Sequence, residues 1–381
     1  MIWILTISIT VLLVAYANGA NDNFKGVATL FGSGTTDYRK ALTWATLTTF
    51  SGSVAAFFFA TRLVKTFTGK GLVPDALISN PAFLAAVAIG AGFTVLFAAR
   101  FGIPISTTHG LTGALVGAGL AAIGSELGFG ALGKTFVMPL IASPFAAIAL
   151  TAILYSFMHQ ARRLFGVTRQ TCLCIGKKVI PVPGLELEGG KVLTISELKI
   201  PEIMIGNEAS CEARAIEAYE GKILGISAQS VLDFFHFLSA GAVSFARGLN
   251  DTPKIVALLV VAGGLGLKWN IGLVALAMAI GGILGARKVA ETVSHKITYM
   301  NHGQGFTANL VTAILVIFAS RLGMPVSTTH VSCGALFGIG LVNGKARWNV
   351  IGSILGAWVL TLPVAAILSA GSYFMLSRIG G

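Results

Sequence analysis

Long apolar runs separated by short polar stretches make up most of the chain. Runs of membrane-spanning length lie at 2–17, 40–61, 81–99, 103–124, 135–158, 228–246, 269–287, 305–320, 324–342 and 348–376. A helix needs about 20 mostly apolar residues to cross a hydrocarbon core about 30 Å thick. The runs lack the alternation of apolar and polar residues that barrel strands require. The pattern therefore predicts an all-α polytopic membrane protein.

Two further apolar pieces, at 26–33 and 255–266, are too short to cross a bilayer as helices. Irregular backbone at membrane depth is tolerated only where it is buried in protein or lines a polar cavity. We therefore predict that both pieces are half-helices or re-entrant segments, and that they lie beside a polar site near the bilayer midplane.

One hydrophilic stretch divides the chain into a first membrane repeat at 1–159, a loop at 160–225 and a second membrane repeat at 226–381. Basic residues around the start of this loop, such as Arg162 and Arg163, predict that it is cytoplasmic. Five crossings on each side then place both termini outside the cell. Within the loop, the sequence predicts short strands at 179–198 and a helix at 196–219.

The composition agrees with a location in the lipid bilayer. The chain is 55% hydrophobic and 11% charged, with a mean hydropathy of +0.82, which excludes a soluble protein with one or two cores. We interpret the net charge of +12 as an indication of membrane topology and of an anionic substrate, not of binding to nucleic acid.

Residues 1–17 lack the basic start of a signal peptide and are predicted to form the first membrane helix. The loop cysteines Cys172, Cys174 and Cys211 are predicted to be free cytoplasmic thiols, with a metal site as the alternative.

Two motifs occur once in each repeat. Gly19–Lys25 reads GANDNFK in the first repeat, and Gly248–Lys254 reads GLNDTPK in the second. Arg100–His109 reads RFGIPISTTH and Arg321–His330 reads RLGMPVSTTH, with seven of ten residues identical. Matched motifs of this kind indicate an internal duplication. If each repeat crosses the membrane an odd number of times, the repeats have inverted topology, which is typical of secondary transporters with a midplane site.

The first candidate site consists of hydroxyl residues that follow a proline in each repeat. They are Ser106, Thr107, Thr108, Ser327, Thr328 and Thr329. Backbone N–H groups are free at the start of the helix that follows, and together with the hydroxyls they can form an oxyanion cradle. The alternative is that the hydroxyls donate to helical carbonyls, as Ser and Thr commonly do in membranes.

The second candidate site consists of the Asn-Asp pairs of the two repeats. They are Asn21, Asp22, Asn250 and Asp251. A carboxylate inside a membrane costs about 2.5–3.5 kcal/mol and usually has a function. These oxygens suit a small cation such as sodium. The alternative is an ion pair between each Asp and the lysine of its own motif, Lys25 or Lys254, and both arrangements can occur in one transport cycle.

A carboxylate beside a bound anion also needs a cation or a shared proton between the two. Their repulsion is about 4 kcal/mol at roughly 4 Å when the effective dielectric constant is near 20.

His109 and His330 end the Ser-Thr-Thr motifs, and we predict neutral, hydrogen-bonded rings, with a coupled proton as the alternative. Arg100 and Arg321 are expected near the membrane surface. The sequence has no nucleotide phosphate loop, HExxH motif or nucleophile elbow, so we predict a protein that is not an enzyme and needs no cofactor.

The paired motifs resemble those of the PiT family of inorganic phosphate transporters. GANDNFK, GLNDTPK, PISTTH and PVSTTH carry the resemblance, which covers both membrane repeats and leaves out the loop. Small residues follow the Asn-Asp pair in the commoner family form, whereas this chain has Asn23-Phe24-Lys25 and Thr252-Pro253-Lys254. The resemblance implies two inverted repeats, cotransport of phosphate with sodium or protons, and a homodimer.

The expected function is therefore a secondary transporter of the cell membrane that imports inorganic phosphate with sodium. The predicted phosphate-binding residues are Asp22, Ser106, Thr107, Thr108, Asp251, Ser327, Thr328 and Thr329, and the predicted sodium ligands are Asn21, Asp22, Asn250 and Asp251. Proton coupling, or sulfate or another oxyanion as the substrate, is an alternative within this class. An anion channel would not depend on a cation gradient, and a membrane phosphatase would need a nucleophile and a base, for which the histidines are the only candidates.

Overall fold

The structure is a computed structural model that describes residues 2–168, 171–181, 186–187, 191–192, 197–207, 224–263 and 266–379. The chain forms two compact units. Residues 1–156 and 236–381 together form the first unit, and residues 157–235 form the second. The first unit is built from helices, which confirms the predicted all-α membrane fold.

The described residues up to Leu164 contain nine α-helices. They are α1 (Ile2–Asp22), α2 (Ala28–Gly32), α3 (Tyr38–Phe59), α4 (Thr61–Thr66), α5 (Asp75–Ile78), α6 (Pro81–Phe101), α7 (Thr107–Ile123), α8 (Phe129–Ala131) and α9 (Met138–Leu164). Short 3₁₀ turns cover Asn23–Gly26 and Gly124–Glu126, and a π-helical stretch covers Leu132–Val137.

The described residues after the loop contain six α-helices. They are α10 (Ala228–Val261), α11 (Leu267–Gly285), α12 (Arg287–Glu291), α13 (His302–Leu322), α14 (Thr328–Asn343) and α15 (Trp348–Ile379). A π-helical stretch, Thr292–Lys296, follows α12.

Seven segments of the described chain have the length and apolar composition needed to cross a bilayer. They are Ile2–Gly26, Tyr38–Phe59, Pro81–Phe101, Phe129–Leu164, Leu267–Gly285, His302–Leu322 and Trp348–Arg378. The predicted runs at 103–124 and 324–342 are not among them. The chain at 102–106 and at 323–327 is not helical. The helices of these two runs therefore begin only at Thr107 and Thr328 and are shorter than the runs. The run at 228–246 belongs to α10, which carries several polar residues.

The helices of the two halves correspond closely around the Ser-Thr-Thr motifs. Helices α6 and α13 begin and end at positions separated by the same offset as the two motifs. Asn80 and Asn301 cap them by accepting a hydrogen bond from the backbone three residues on. Gly102 and Gly323 end them with φ angles of 72° and 74°, a left-handed conformation that glycine adopts without strain. The duplication therefore extends from sequence to local structure.

Helix α10 contradicts the prediction of a separate half-helix at 255–266. It continues through the second Asn-Asp motif to Val261 without a break. Pro253 lacks one backbone N–H, yet an unbroken helix keeps the surrounding backbone groups paired in an apolar environment. In the first half the corresponding chain does break, because α1 ends at Asp22 and the 3₁₀ turn Asn23–Gly26 separates it from the five-residue α2.

The motif glycines allow two close helix crossings. A Cβ atom on Gly19 would lie 2.0 Å from the carbonyl oxygen of Met278 on α11, and one on Gly248 would lie 2.1 Å from that of Thr49 on α3. Thr49 and Met278 are themselves equivalent positions, because the same offset along the chain separates them as separates the two glycines. Each Asn-Asp motif is therefore held against a helix of the opposite half by a glycine that has no room for a side chain.

The described residues of the second unit contain two antiparallel sheets. Strand β1 (Thr171–Pro181) pairs with β4 (Glu197–Asn207) and β5 (Leu224–Ser227), and β2 (Glu186–Leu187) pairs with β3 (Lys191–Val192). Strands thus occur in the predicted stretch 179–198. The helix predicted at 196–219 is wrong over 197–207, where the isoleucine-rich β4 pairs with β1 along its whole length. Residues 208–219, with Cys211, lie outside the described residues, as do the side chains of Cys172 and Cys174.

Candidate functional site

The Asn-Asp motif of each half contacts the Ser-Thr-Thr motif of the other half. Lys25 Nζ donates to Thr329 Oγ1 at 2.7 Å, and Lys254 Nζ donates to Thr108 Oγ1 at the same distance. The two lysines are equivalent in the duplication, and so are the two threonines. We call the cluster the paired-motif site; it contains Asn21, Asp22, Lys25, Ser106, Thr107, Thr108, Asn250, Asp251, Lys254, Ser327, Thr328 and Thr329, all of them buried.

The two carboxylates of the site are joined by one amide group. Asn18 Nδ2 donates to Asp22 Oδ2 at 2.8 Å and to Asp251 Oδ2 at 3.3 Å. Asn18 lies on α1, one turn before Asp22, and is fully buried. The aspartates therefore belong to a single site, although they come from different halves of the chain.

Four oxygen atoms surround the ammonium group of Lys25. It forms an ion pair with Asp22 Oδ1 and donates to Asn21 Oδ1 at 2.7 Å, Ile105 O at 2.9 Å and Thr329 Oγ1. An ammonium group has three N–H donors, so these acceptors satisfy it fully. The side chain of Lys25 is buried, which leaves protein oxygens in place of water around the charge.

Lys254 has an equivalent environment in the second half. Its ammonium group donates to Asp251 Oδ1 at 3.3 Å, Val326 O at 2.7 Å and Thr108 Oγ1. The three acceptors match its three N–H donors. The structure therefore contains the ion pair between Asp and Lys that the sequence left open as an alternative, and it contains it in both halves.

The hydroxyl groups of the Ser-Thr-Thr motifs have three distinct sets of partners. Ser106 and Ser327 cap α7 and α14, each accepting a hydrogen bond at 3.1 Å from the backbone N–H three residues on. Thr107 Oγ1 donates to Asp22 Oδ2 at 2.8 Å, and Thr328 Oγ1 donates to Asp251 Oδ2 at 3.4 Å. Thr108 and Thr329 donate to the carbonyls of Val326 and Ile105, respectively. These bonds to carbonyls cross between the halves, so they differ from the local back-bonding considered as an alternative.

The asparagines of the Asn-Asp pairs hold the non-helical chain that precedes α7 and α14. Asn21 Nδ2 donates to Ile103 O at 3.0 Å, and Asn21 Oδ1 accepts from Ile105 N at 3.2 Å. Asn250 Nδ2 donates to Val326 O at 3.2 Å. Backbone groups that no helix satisfies are thus paired by these side chains, which keeps the adjoining hydroxyls in position.

Arg247 also belongs to the paired-motif site, although it lies outside the two motifs and was not predicted from the sequence. It is 1% exposed, and its Nε lies 3.8 Å from Asp251 Oδ2. Its guanidinium group donates to Asn18 Oδ1 at 2.6 Å, to Asn23 Oδ1 at 3.1 Å and to Thr49 Oγ1 at 3.3 Å. Arg247 and Asn18 occupy equivalent positions directly before the two motifs. A charged residue next to the motif in an otherwise apolar run was the available signal.

The buried charges of the site leave a positive excess. Three cationic side chains, Lys25, Arg247 and Lys254, face the two carboxylates of Asp22 and Asp251. With all five groups ionised, one positive charge is left without a carboxylate partner. Buried charge is costly unless it is paired. An anion bound here would therefore be balanced by the protein's own side chains.

His109 and His330 meet at the N-terminal ends of α7 and α14. Their ring centroids are 4.3 Å apart, and the ring of His330 stacks on Trp358 at 3.8 Å. His330 Nδ1 lies 3.4 Å from Leu140 O, whereas His109 Nδ1 and His330 Nε2 have no hydrogen-bond partner among the described residues. The predicted hydrogen-bonded ring is thus present at His330, through Nδ1, whereas the structure describes no such bond for His109 Nδ1.

The match to known proteins covers nearly the whole chain. Residues 18–369 match the profile of the phosphate transporter family. The chain belongs to this family. As a phosphate transporter it is a membrane protein and not an enzyme, which confirms both predictions.

Individual relatives agree with the family. A Pyrococcus abyssi protein whose name describes it as a phosphate permease is 30% identical, over 99% of each chain. The Arabidopsis thaliana protein named inorganic phosphate transporter 2-1, chloroplastic, is 27% identical, over 96% of this transporter and 71% of its own length. A solved structure, described as that of a sodium-dependent phosphate transporter, shares the fold with a TM-score of 0.75 over 100% of both chains, at 21% identity.

Proposed function

We propose that this phosphate transporter is a secondary transporter that imports inorganic phosphate together with a cation, and that phosphate binds at the paired-motif site. The positive excess among the buried side chains of that site is the observation that carries the proposal. Helices α7 and α14 begin at Thr107 and Thr328, so their N-terminal ends add partial positive charge beside the hydroxyls. Action as a homodimer in the cell membrane is part of the same proposal.

Phosphate binding requires the site to exchange some of its present hydrogen bonds. The hydroxyls of Thr108 and Thr329 each bond a lysine and a carbonyl of the other half. On binding, these hydroxyls and the cap residues Ser106 and Ser327 would turn to the phosphate oxygens. Bonds between the halves would then be replaced by bonds to the substrate, which links substrate binding to the movement of one half against the other.

Two cations are candidates for the coupling ion. Sodium is the ion predicted from the sequence, with Asn21, Asp22, Asn250 and Asp251 as ligands, and the solved transporter of the same fold is described as sodium-dependent. The proton is the second candidate. The observation that favours it is the presence of two lysine ammonium groups among the oxygens that a sodium ion would use.

Phosphate uptake into proteoliposomes tests this proposal. A sodium gradient at constant pH is applied first, and a pH gradient without sodium is applied second. We expect uptake above that of protein-free liposomes under at least one gradient. Uptake under neither gradient would contradict cation-coupled transport, and equal uptake with and without both gradients would indicate an anion channel.

A further inference from the structure

The oxygens around Lys25 are of the kinds that bind a small, hard cation. They comprise a carboxylate oxygen of Asp22, an amide oxygen of Asn21, a backbone carbonyl of Ile105 and a hydroxyl of Thr329. Non-helical backbone carbonyls together with side-chain oxygens are the ligands that transporters of this general architecture present to sodium. In this chain the centre of that shell is a lysine nitrogen.

A similar arrangement, without the amide oxygen, occurs at the equivalent place in the second half. Lys254 Nζ contacts a carboxylate oxygen of Asp251, a backbone carbonyl of Val326 and a hydroxyl of Thr108. Ile105 and Val326 both lie in the non-helical chain before a Ser-Thr-Thr motif. Because both copies of the duplicated motif place a lysine among such oxygens, the arrangement is a feature of the duplicated site and not of one side chain.

We infer that Lys25 and Lys254 act as tethered cations in the two oxygen shells, so that phosphate binding at the paired-motif site requires no bound sodium. The inference rests on the proposed phosphate site. Each ammonium group supplies the positive charge that a carboxylate beside a bound anion needs, and it carries that charge on the protein instead of on a mobile ion. If sodium is not required, the proton is the remaining candidate of the two coupling ions.

The charge balance supports a role in phosphate binding for both lysines. With both lysines and Arg247 charged, the site has one positive charge more than it has carboxylates. Two sodium ions added to the same shells would bring further positive charge into a space that the ammonium groups already fill. Without the lysines, the two carboxylates would exceed the one remaining cation, Arg247, and the site would repel an anion.

The wild-type protein gives the first test. Phosphate uptake into proteoliposomes is driven by a pH gradient, with sodium present in one series and replaced by N-methylglucamine in the other. We expect initial rates that agree within about twofold, because no sodium site has to be filled. Wild-type uptake that depends on sodium would overturn the inference while leaving phosphate transport intact. Absence of uptake in both series and under a sodium gradient would instead contradict the proposed function.

Paired substitutions at the lysines give the second test. Lys25→Ala and Lys254→Ala remove the charge and leave the shell oxygens open, whereas Lys25→Met and Lys254→Met remove the charge but fill the space. Without sodium, we expect uptake by all four variants to fall roughly tenfold or more, because a buried carboxylate loses its partner. Added sodium should restore uptake in the alanine variants only.

Three outcomes of the second test would count against tethered cations. These are an alanine variant with full uptake in the absence of sodium, an alanine variant that sodium does not restore, and equal restoration of the alanine and methionine variants. Lys40→Ala is the matched control, because Lys40 is also three residues from an aspartate but its side chain is 77% exposed; its uptake should not change. If the alanine variants do not fold, the wild-type test decides alone.

Discussion

We expect the carboxylates of Asp22 and Asp251 to determine which anion the paired-motif site accepts. A carboxylate can only accept hydrogen bonds, and Asn18 holds these two close together by donating to both. A bound anion that carries a proton can donate to one of them, whereas a fully deprotonated anion can only be repelled. If phosphate binds beside them, discrimination between oxyanions of similar size should therefore depend on the proton.

Competition between anions tests this role of the carboxylates. Near neutral pH, phosphate and arsenate retain a proton and sulfate does not. We expect arsenate to compete with phosphate uptake at similar concentrations and sulfate to compete poorly, since discrimination that leaves a buried polar group unpaired can reach roughly 10⁴-fold. The measurement is the inhibition of phosphate uptake at pH 7 by each anion. Equal inhibition by sulfate and arsenate would show that the carboxylates do not recognise the proton.

Arg247 should contribute to phosphate affinity mainly through its charge. Arg247→Met removes the positive excess of the site, and we expect the KM for phosphate uptake to rise roughly tenfold or more. Arg247→Lys keeps the charge but cannot reproduce the planar set of donors that reaches Asn18, Asn23 and Thr49, so a smaller rise is expected.

The control for Arg247 is an exposed arginine. Arg287 pairs with Glu291, and its side chain is 80% exposed, so Arg287→Met should leave the KM unchanged. If the methionine and lysine variants of Arg247 have the same KM, the charge of this residue does not bind the substrate, and its role is to connect the helices that it bridges.

The sequence predicted the residue types of the site better than their partners. The sequence assigns residues of both motifs to phosphate binding, and it offers the pairing of each aspartate with its own lysine as an alternative, because these residues lie about one helical turn apart. The contacts of Asn18 with Asp251 and of Lys25 with Thr329 could not be predicted from the sequence. They depend on where helices of different halves cross, which local patterns of residues do not specify.

At the scale of elements, the two halves differ after the Asn-Asp motifs: the chain breaks in the first half and stays helical in the second. Gly26 and Ile255 are equivalent positions after the two motifs, and Pro253 lies two residues before Ile255. The chain breaks near Gly26, where a Cβ atom would lie 2.2 Å from Ser244 Oγ, yet it stays helical through Pro253. The sequence predicts a half-helix or re-entrant segment at both 26–33 and 255–266, because both apolar pieces are too short to cross a bilayer. The two pieces differ because Gly26 packs closely against Ser244 on α10, a contact that the sequence does not reveal.

Helix crossing at the motif glycines gives a prediction for stability. Gly19→Ala and Gly248→Ala place a methyl group about 2 Å from a backbone carbonyl that cannot rotate away. Overpacking of this kind costs about 1–3 kcal/mol, so we expect a lower thermal unfolding temperature and reduced uptake. The measurement is the unfolding temperature of the purified protein in detergent.

Glycines in open positions provide the control for these crossings. Gly272 and Gly356 lie within α11 and α15, and a Cβ atom on either would have no neighbour within 4 Å. Alanine at these positions should leave the unfolding temperature unchanged or raise it, because alanine favours helix by about 1 kcal/mol over glycine. An equal loss of stability in both sets would mean that the close crossings do not limit stability.

At the scale of the whole molecule, one site is assembled from two halves that exchange equivalent contacts. Lys25 reaches Thr329 while Lys254 reaches Thr108, so neither half contains a complete site. Separation of the halves on one side of the membrane would break one set of contacts and open a path to the aspartates. A transporter built in this way can expose its site to each side in turn if the halves are inverted.

Inverted topology predicts that equivalent surface positions face opposite sides of the membrane. Arg39 and Lys268 are equivalent in the duplication, both are exposed, and they lie at the starts of α3 and α11. In a protein whose four native cysteines are replaced by serine, Arg39→Cys and Lys268→Cys should each react with a membrane-impermeant maleimide from one side only, and from opposite sides. The measurement is labelling of intact cells and of inside-out vesicles, with detergent-solubilised protein to show that both cysteines are reactive.

Labelling of both positions from the same side would mean that the repeats are parallel. The first repeat would then cross the membrane an even number of times, and the exchange of contacts would arise from an axis along the membrane normal.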